Sequence, residues 1–348
     1  MKVKTIEIAK ALGLSKATVS LALNGKPGVN EQTRQRILAY KERLEAMPEV
    51  SQLLQQMPVE EPGLLQKKVR LVVMNRRLGL VQDCELDMWT DVKALFDKLA
   101  REMGYSLEVV YFQIGEDDPT RLAGDCNQPE VAGVVIQGTE LQAEDAYLLE
   151  GIQKPLVIYD CDLFDERYPC VAVSDFEAVR MAMEQLKRKG KRHICYISRN
   201  MEVYNYSQRR EAFSFFTESR KAVEKGIKAD LVCAEGSIDE IYRKIKEYLS
   251  SLSSYPDAFL LESFHISIGF LRAARELGLT IPEDFSVIGI DRLPEYITAG
   301  AALTAVRIPY TERVKLTMLL LEHEIRDPFP AKSKIFTNPS FYEGNTLG

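Results

Sequence analysis

Two rhythms of apolar and polar residues divide the chain. Near the amino terminus, "TIEIAKALGLSKATVSLALNG" puts Ile8, Ala9 and Leu12 on one face of a helix that starts at about Thr5. Gly13 is the natural residue to end it, because glycine adopts positive φ without a steric penalty. Ser15 is placed to cap a second helix. Val19, Ala22 and Leu23 share one stripe of that helix, while Lys16, Ala17, Ser20, Leu21 and Asn24 fall on the other. After the breaker "NGKPG", Asn30 can cap a third helix with Glu31 in its first turn, where the helix dipole favours an acid. Ile37, Tyr40 and Leu44 would give that helix its buried face. The pattern predicts three short helices around a small core.

From Pro48 to Gln66, "PEVSQLLQQMPVEEPGLLQ" holds three prolines and no Lys or Arg, and reads as a linker with room for a short helix over Ser51–Met57. Beyond it the rhythm changes. Apolar strands ("VRLVVM", "LEVVYF", "VAGVVIQ", "PLVIYDCD", "HICYIS", "DAFLLE", "FSVIGID") alternate with amphipathic helices ("VKALFDKLAREMG", "EAVRMAMEQLKRKG", "RREAFSFFTESRKAVEKG", "IGFLRAARELG"). Such alternation predicts parallel sheets with crossover helices on both faces. The length suggests two doubly wound lobes, with a ligand cleft at the carboxyl ends of the strands.

Charge sharpens the division. Residues 1–47 carry nine Lys/Arg against four acids, a net of +5 that leaves −11 for the rest of a chain whose formal charge is −6. A basic head on an acidic body suits phosphate binding at one end, because local charge density sets that attraction. The six cysteines (Cys84, Cys126, Cys161, Cys170, Cys195, Cys233) form no CxxC pair and read as reduced thiols. The first ten residues, "MKVKTIEIAK", are charged where a secretion signal needs an apolar core, and no window approaches a membrane span, so a cytoplasmic protein is expected. No Walker-type phosphate loop, GxGxxG, HExxH or GxSxG occurs, and His193, His265 and His323 are widely separated. Asp160 and Asp162 in "YDCD" read as ligand hydrogen-bonders or solvated loop residues rather than a metal site. No enzyme, cofactor or metal is expected.

The segment "TIEIAKALGLSKATVSLALNGKPGVNEQTRQRIL" resembles the headpiece of the lactose-repressor/galactose-repressor (LacI/GalR) family, with its T-V-S-R-V-L-N-G core. Downstream, "VAGVVIQG", "SQRREAFSFF", "LGLTIPEDFSVIGIDRLP" and "LTAVRIP" are similar to further family segments, so the resemblance covers nearly the whole chain. It implies an all-α helix-turn-helix headpiece (1–47), a hinge (48–66) and an α/β periplasmic-binding-protein-like domain of two doubly wound lobes (67–348). It implies a homodimeric repressor that binds a pseudo-palindromic double-stranded DNA operator under control of a small-molecule effector, sugars being candidates; the rival reading is a small-molecule receptor without gene control. By resemblance, Lys16, Ala17 and Leu21 take base-reading positions, and Thr5, Ser15, Thr18, Ser20, Asn24 and Thr33 take phosphate or cap positions. Leu53 or Leu54 would enter the minor groove, and Trp89, Asp160, Arg209 and Asp291 would line the effector cleft. Three departures bear on that cleft and hinge: "ESFHIS" replaces A-N-D-x-x-A, Arg292 replaces the second Asp of F-D-D, and "PEVSQLLQQM" lacks the hinge arginine.

Overall fold

The computed structural model describes residues 5–12, 14–26, 28–30, 33–34, 37–38, 41, 67–80, 88–224, 226–293, 297 and 302–348. The linker, with the helix expected over Ser51–Met57, lies outside the described residues, as do Gly13, Tyr40 and Leu44. The chain divides into a small unit holding the amino-terminal residues and a larger one of residues 64–292 and 301–348.

In the small unit, α1 (Thr5–Leu12) and α2 (Lys16–Leu23) form where the apolar spacing predicts. Ile8, Ala9, Val19, Ala22 and Ile37 are buried together, with Leu12, Leu14, Leu23 and Val29 packed around them. Residues 33, 34, 37, 38 and 41 are helical, the described part of the third segment.

Among its described residues, the larger unit contains two six-stranded sheets. The first is built from β1 (Lys68–Asn75), β2 (Ser106–Gln113), β3 (Val131–Gln137), β4 (Leu156–Tyr159), β5 (Cys170–Val173) and β11 (Lys334–Thr337), in the order β11-β5-β4-β3-β1-β2. The second holds β6 (His193–Ser198), β7 (Lys228–Cys233), β8 (Ala258–Leu261), β9 (Ser286–Ile290), β10 (Ala305–Arg307) and β12 (Ser340–Tyr342), in the order β12-β10-β9-β8-β6-β7. All ladders are parallel except β10 with β12. The helices are α3 (Met88–Glu102), α4 (Pro119–Cys126), α5 (Asp175–Arg188), α6 (Tyr204–Glu218), α7 (Arg220–Glu224), α8 (Ile238–Ser251), α9 (Phe264–Glu276) and α10 (Tyr310–Arg326), with a 3-10 turn at Ala143–Leu149.

Central strands buried on both faces explain the unbroken apolar runs: β1 is buried from Val69 to Asn75. One face of the first sheet packs on α4 and the 3-10 turn through residues such as Val72, Met74, Leu122 and Leu148. The other takes α3 and α10. Gly133 permits the close approach of α10, since a Cβ there would lie 2.8 Å from Ile325 and 2.9 Å from Leu321. The chain enters the second lobe after β5, returns through α10 to supply β11, and passes back to β12, so three segments join the lobes. Two of them are tied where Ser174 N–H donates to Thr337 O at 2.9 Å.

The expected helix "RREAFSFFTESRKAVEKG" is broken. Ser219 turns extended (φ −59°, ψ 144°) between α6 and α7. Several elements escape the apolar rhythm for physical reasons. Strand β7 is an edge strand with mostly exposed side chains, and α10 turns Arg313, Thr317 and Glu324 inward among its apolar residues.

Candidate functional sites

The headpiece site is built on capping. Ser15 is extended (φ −71°, ψ 147°), and its Oγ accepts the Thr18 backbone N–H at 3.0 Å, which starts α2. Asn30 does the same for the third segment, its Oδ1 accepting Thr33 N–H at 2.7 Å. Asn24 Nδ2 donates to Ser20 O at 2.8 Å and closes α2. Arg34, which the sequence reading did not single out, donates to Ala22 O (2.9 Å) and Lys26 O (2.6 Å). It sets a cation on the negative end of α2 and ties the third segment to it. Opposite the buried Val19 and Ala22, the face of α2 exposes Lys16, Ala17 and Ser20. Leu21 is half-buried, and its Cδ1 would lie 3.7 Å from a Cβ at Gly28. Thr5, Thr18 and Thr33 are half-buried. Leu53 and Leu54 lie outside the described residues.

In the larger unit, backbone strain and buried charge coincide. Among the described residues, those other than glycine with positive φ are Arg77, Asp160, Phe164, Asn200 and Asp291. All follow the carboxyl ends of β1, β4, β6 or β9. Left-handed backbone on side-chain-bearing residues persists only where surroundings enforce it, and it concentrates at functional sites. Strand order reverses at β1/β3 in the first sheet and at β6/β8 in the second, the switch points where open α/β sheets bind ligands.

Arg209 and Asp291, expected to line a cleft, are both buried. Arg209 Nε donates to Asp175 Oδ1 at 2.6 Å, and its Nη1 to Glu262 O at 2.7 Å. Asp291 accepts the Tyr310 hydroxyl at 2.7 Å and interacts electrostatically with Arg209. Burial pushes Asp175 up to about 6 against the opposing pull of Arg209, and raises Asp291 likewise. Asp160 pairs with Arg313, whose guanidinium lies 5.0 Å from both the Tyr159 and Tyr310 ring centroids. Arg209, Asp291, Asp160 and their partners thus form one buried network across α5, α6, β9 and α10. Trp89 belongs to α3, but its side chain is outside what is described.

Sequence reasoning missed Asp175, Arg199, Glu262, His265, Tyr310, Arg313 and Glu140. Glu140 is fully buried, and its carboxylate accepts the backbone N–H groups of Arg76 (2.6 Å), Leu78 (3.3 Å) and Leu80 (2.9 Å), which fixes the loop after β1. Glu262 accepts the Ser198 hydroxyl at 2.8 Å and Arg199 N–H at 2.7 Å, and burial raises its carboxyl pKa. A usable signal was present for some of these, namely a carboxylate directly after an apolar strand ("AFLLE") or a charge at a core-facing helix position (Arg313). Gln137 Oε1, Tyr159 OH, Asp175 Oδ2, Arg199 Nε, Asn205 Oδ1 and Ser263 Oγ are buried without hydrogen-bond partners. Polar atoms so placed can serve a polar ligand.

Outside the cleft, His193 Nε2 lies 2.7 Å from Asp230 Oδ2, and the His323 ring packs on Phe329. Cys126, Cys161, Cys170 and Cys195 are buried free thiols, and Cys233 is an exposed one. Burial pushes Cys126 up to about 11 and Cys170 and Cys195 to about 12. Among the described residues, no group of three His, Cys, Asp or Glu is placed to hold a metal ion, and no helix is long and apolar enough to cross a membrane.

A capped helix-turn-helix head and a two-lobed α/β body with a buried polar network define a DNA-binding transcription regulator, and the comparisons agree. Residues 5–48 match the model of bacterial regulatory proteins of the lacI family, and residues 183–347 match that of the periplasmic binding protein-like domain. The HTH-type transcriptional regulator GalR of Streptococcus thermophilus is 25% identical over 340 residues, spanning 95% of this chain and 96% of the relative. Two solved structures share the fold. One is a transcriptional regulator CelR–cellobiose complex (TM-score 0.67, 18% identity, 99% of each chain). The other is the lac repressor dimer bound to operator and the anti-inducer ONPF (TM-score 0.66, 18% identity, 100% of this chain and 99% of that one). A lacI-family regulatory segment thus precedes a periplasmic binding protein-like domain, the make-up of the transcriptional regulators to which the chain is similar.

Proposed function

We propose that this regulator is a cytoplasmic homodimeric repressor rather than an enzyme. Its paired headpieces read the half-sites of a pseudo-palindromic operator, and a small molecule held between the lobes shifts operator affinity. The observation that carries the reading is the exposed Lys16, Ala17 and Ser20 face of α2 within a basic head joined to an acidic body. Dimer symmetry matched to operator symmetry follows from one headpiece per half-site. The effector acts only through unequal affinity for two conformations, with about 1–3 kcal/mol of coupling typical. Residues 1–47 serve as headpiece, 48–66 as hinge and 67–348 as effector domain. Lys16, Ala17 and Leu21 take base-facing roles, and Thr5, Ser15, Thr18, Ser20, Asn24 and Thr33 take backbone-facing or capping ones. Leu53 or Leu54 serves the minor groove, and Trp89, Asp160, Arg209 and Asp291 serve the cleft. The sugar ligand of the CelR neighbour makes cellobiose a first effector probe.

The test is a gel-shift titration of the full chain and of residues 64–348 on a selected operator. The full chain should bind with steep salt dependence, log K falling by about 0.9 per phosphate neutralised. Residues 64–348 should remain folded without binding. Undiminished binding by the truncated chain would overturn the assignment.

A further inference from the structure

We propose that Arg199, Ser263 and the first turn of α9 form an oxyanion subsite in the cleft, which holds a phosphate or carboxylate group of the effector. The proposal rests on the effector-cleft reading above and narrows its ligand to an acidic or phosphorylated small molecule.

Among the described residues, the buried guanidinium of Arg199 pairs with no carboxylate. Arg199 is 4% exposed at the carboxyl end of β6, one of the two strands that flank the switch point of the second sheet. Its Nη1 lies 3.1 Å from His265 Nδ1, its Nη2 donates to Gly236 O at 3.1 Å and lies 3.5 Å from Leu78 O, and its Nε has no partner. These neighbours are uncharged, whereas the guanidiniums of Arg209 and Arg313 each pair with a buried aspartate. Glu262 receives the backbone N–H of Arg199, is engaged by the hydroxyls of Tyr196 and Ser198, and lies 3.7 Å from Arg210. A buried guanidinium without a carboxylate is costly, and an anionic ligand supplies the missing charge.

His265 does not supply it. Burial first, and then the Arg199 charge, hold its pKa well below the usual histidine value. The neutral ring accepts from Arg199 and hydrogen-bonds the Gly79 backbone, which fixes the guanidinium in orientation.

A second observation points to the same place. In the parallel ladder Ile197 pairs with Leu261, and Glu262 N–H donates to Ile197 O; two residues beyond that pair, Arg199 follows β6 and Ser263 precedes α9, whose His265 the Arg199 guanidinium touches. Ser263 is 1% exposed at the N-cap of the thirteen-residue α9, yet its hydroxyl does not cap the helix. Its Oγ stands beside the Tyr206 hydroxyl without a hydrogen bond of normal geometry. The unpartnered Arg199 Nε–H, the Ser263 hydroxyl beside Tyr206 and the first turn of α9, reached by Arg199 through His265, belong to one buried neighbourhood, and donors of this kind recognise oxyanions.

The experiment titrates inorganic phosphate, and separately acetate, into the full chain at constant ionic strength set with potassium chloride, and follows the melting temperature. The parent should show a saturable rise with at least one anion, and the two arms separate a phosphoryl from a carboxylate preference. Arg199→Gln should weaken apparent affinity by about ten-fold or more, the scale of a charge-assisted hydrogen bond, with Arg199→Lys recovering part of it. Ser263→Ala, which leaves the guanidinium network intact, should weaken it several-fold, and serves if Arg199→Gln does not fold. No saturable response to either anion, or equal responses in parent and variants, overturns the subsite. The effector reading itself falls only if no small molecule shifts operator affinity, so the two failures are distinguishable.

Discussion

Two buried aspartates, Asp175 and Asp291, face the single guanidinium of Arg209, and this arithmetic governs how the cleft responds to pH. A carboxyl whose pKa rises on folding holds its proton more tightly in the folded chain. Its contribution to stability is therefore complete below the unfolded value of 3.8 and is lost as pH rises through about 6 for Asp175. The stability of the parent relative to Asp175→Asn should accordingly decline between those limits, which urea unfolding of both proteins across that range will read; a constant difference would sink the idea. Arg209→Ala removes the partner of a buried carboxylate, so beyond any effect on ligand it should cost about 3–5 kcal/mol of stability, measured by the same unfolding. Family segments marked Arg209 and Asp291 in the sequence, and both side chains are buried. Arg199 and His265 lie 66 positions apart and meet only through the β6–β8 ladder, so no local pattern could join them.

At the scale of elements, local chemistry was a good guide in the headpiece. Ser15 and Asn30 cap where their side chains predict, because an N-cap needs only one oxygen near its own helix. Ser15→Ala should destabilise the headpiece by about 1 kcal/mol, readable as a lowered melting transition in far-ultraviolet circular dichroism of the isolated head. Leu21 poses a sharper question, being half-buried near Gly28 on the same helix that exposes Lys16, Ala17 and Ser20. An aliphatic side chain can contact a thymine methyl, whereas arginine bonds guanine O6 and N7. Operators selected from a random library by Leu21→Arg should switch one symmetric pair from A·T to G·C, with about 1–3 kcal/mol of discrimination. Identical selections would assign Leu21 to packing alone. In the body, the long apolar strands were legible because burial on both faces demands them. The exposed edge strand β7 and the charged inner face of α10 were not, since their residues answer to neighbours distant in sequence.

For the whole molecule, alternation of strands and helices predicted two doubly wound lobes, but not that the chain would visit the first lobe twice. That return has a consequence for synthesis. The first sheet is begun at Lys68 yet receives its last strand, β11, only at Lys334–Thr337, after the central strands of the second sheet have been made. Until α10 emerges, one face of β3, β4 and β5 lacks its covering helix, and until β11 arrives the edge of β5 is open. An open edge and an uncovered apolar face are the features by which nascent chains associate wrongly. The lobe that starts first therefore depends on the end of the message, and a chain halted anywhere between residues 174 and 310 carries an unfinished sheet however complete its headpiece.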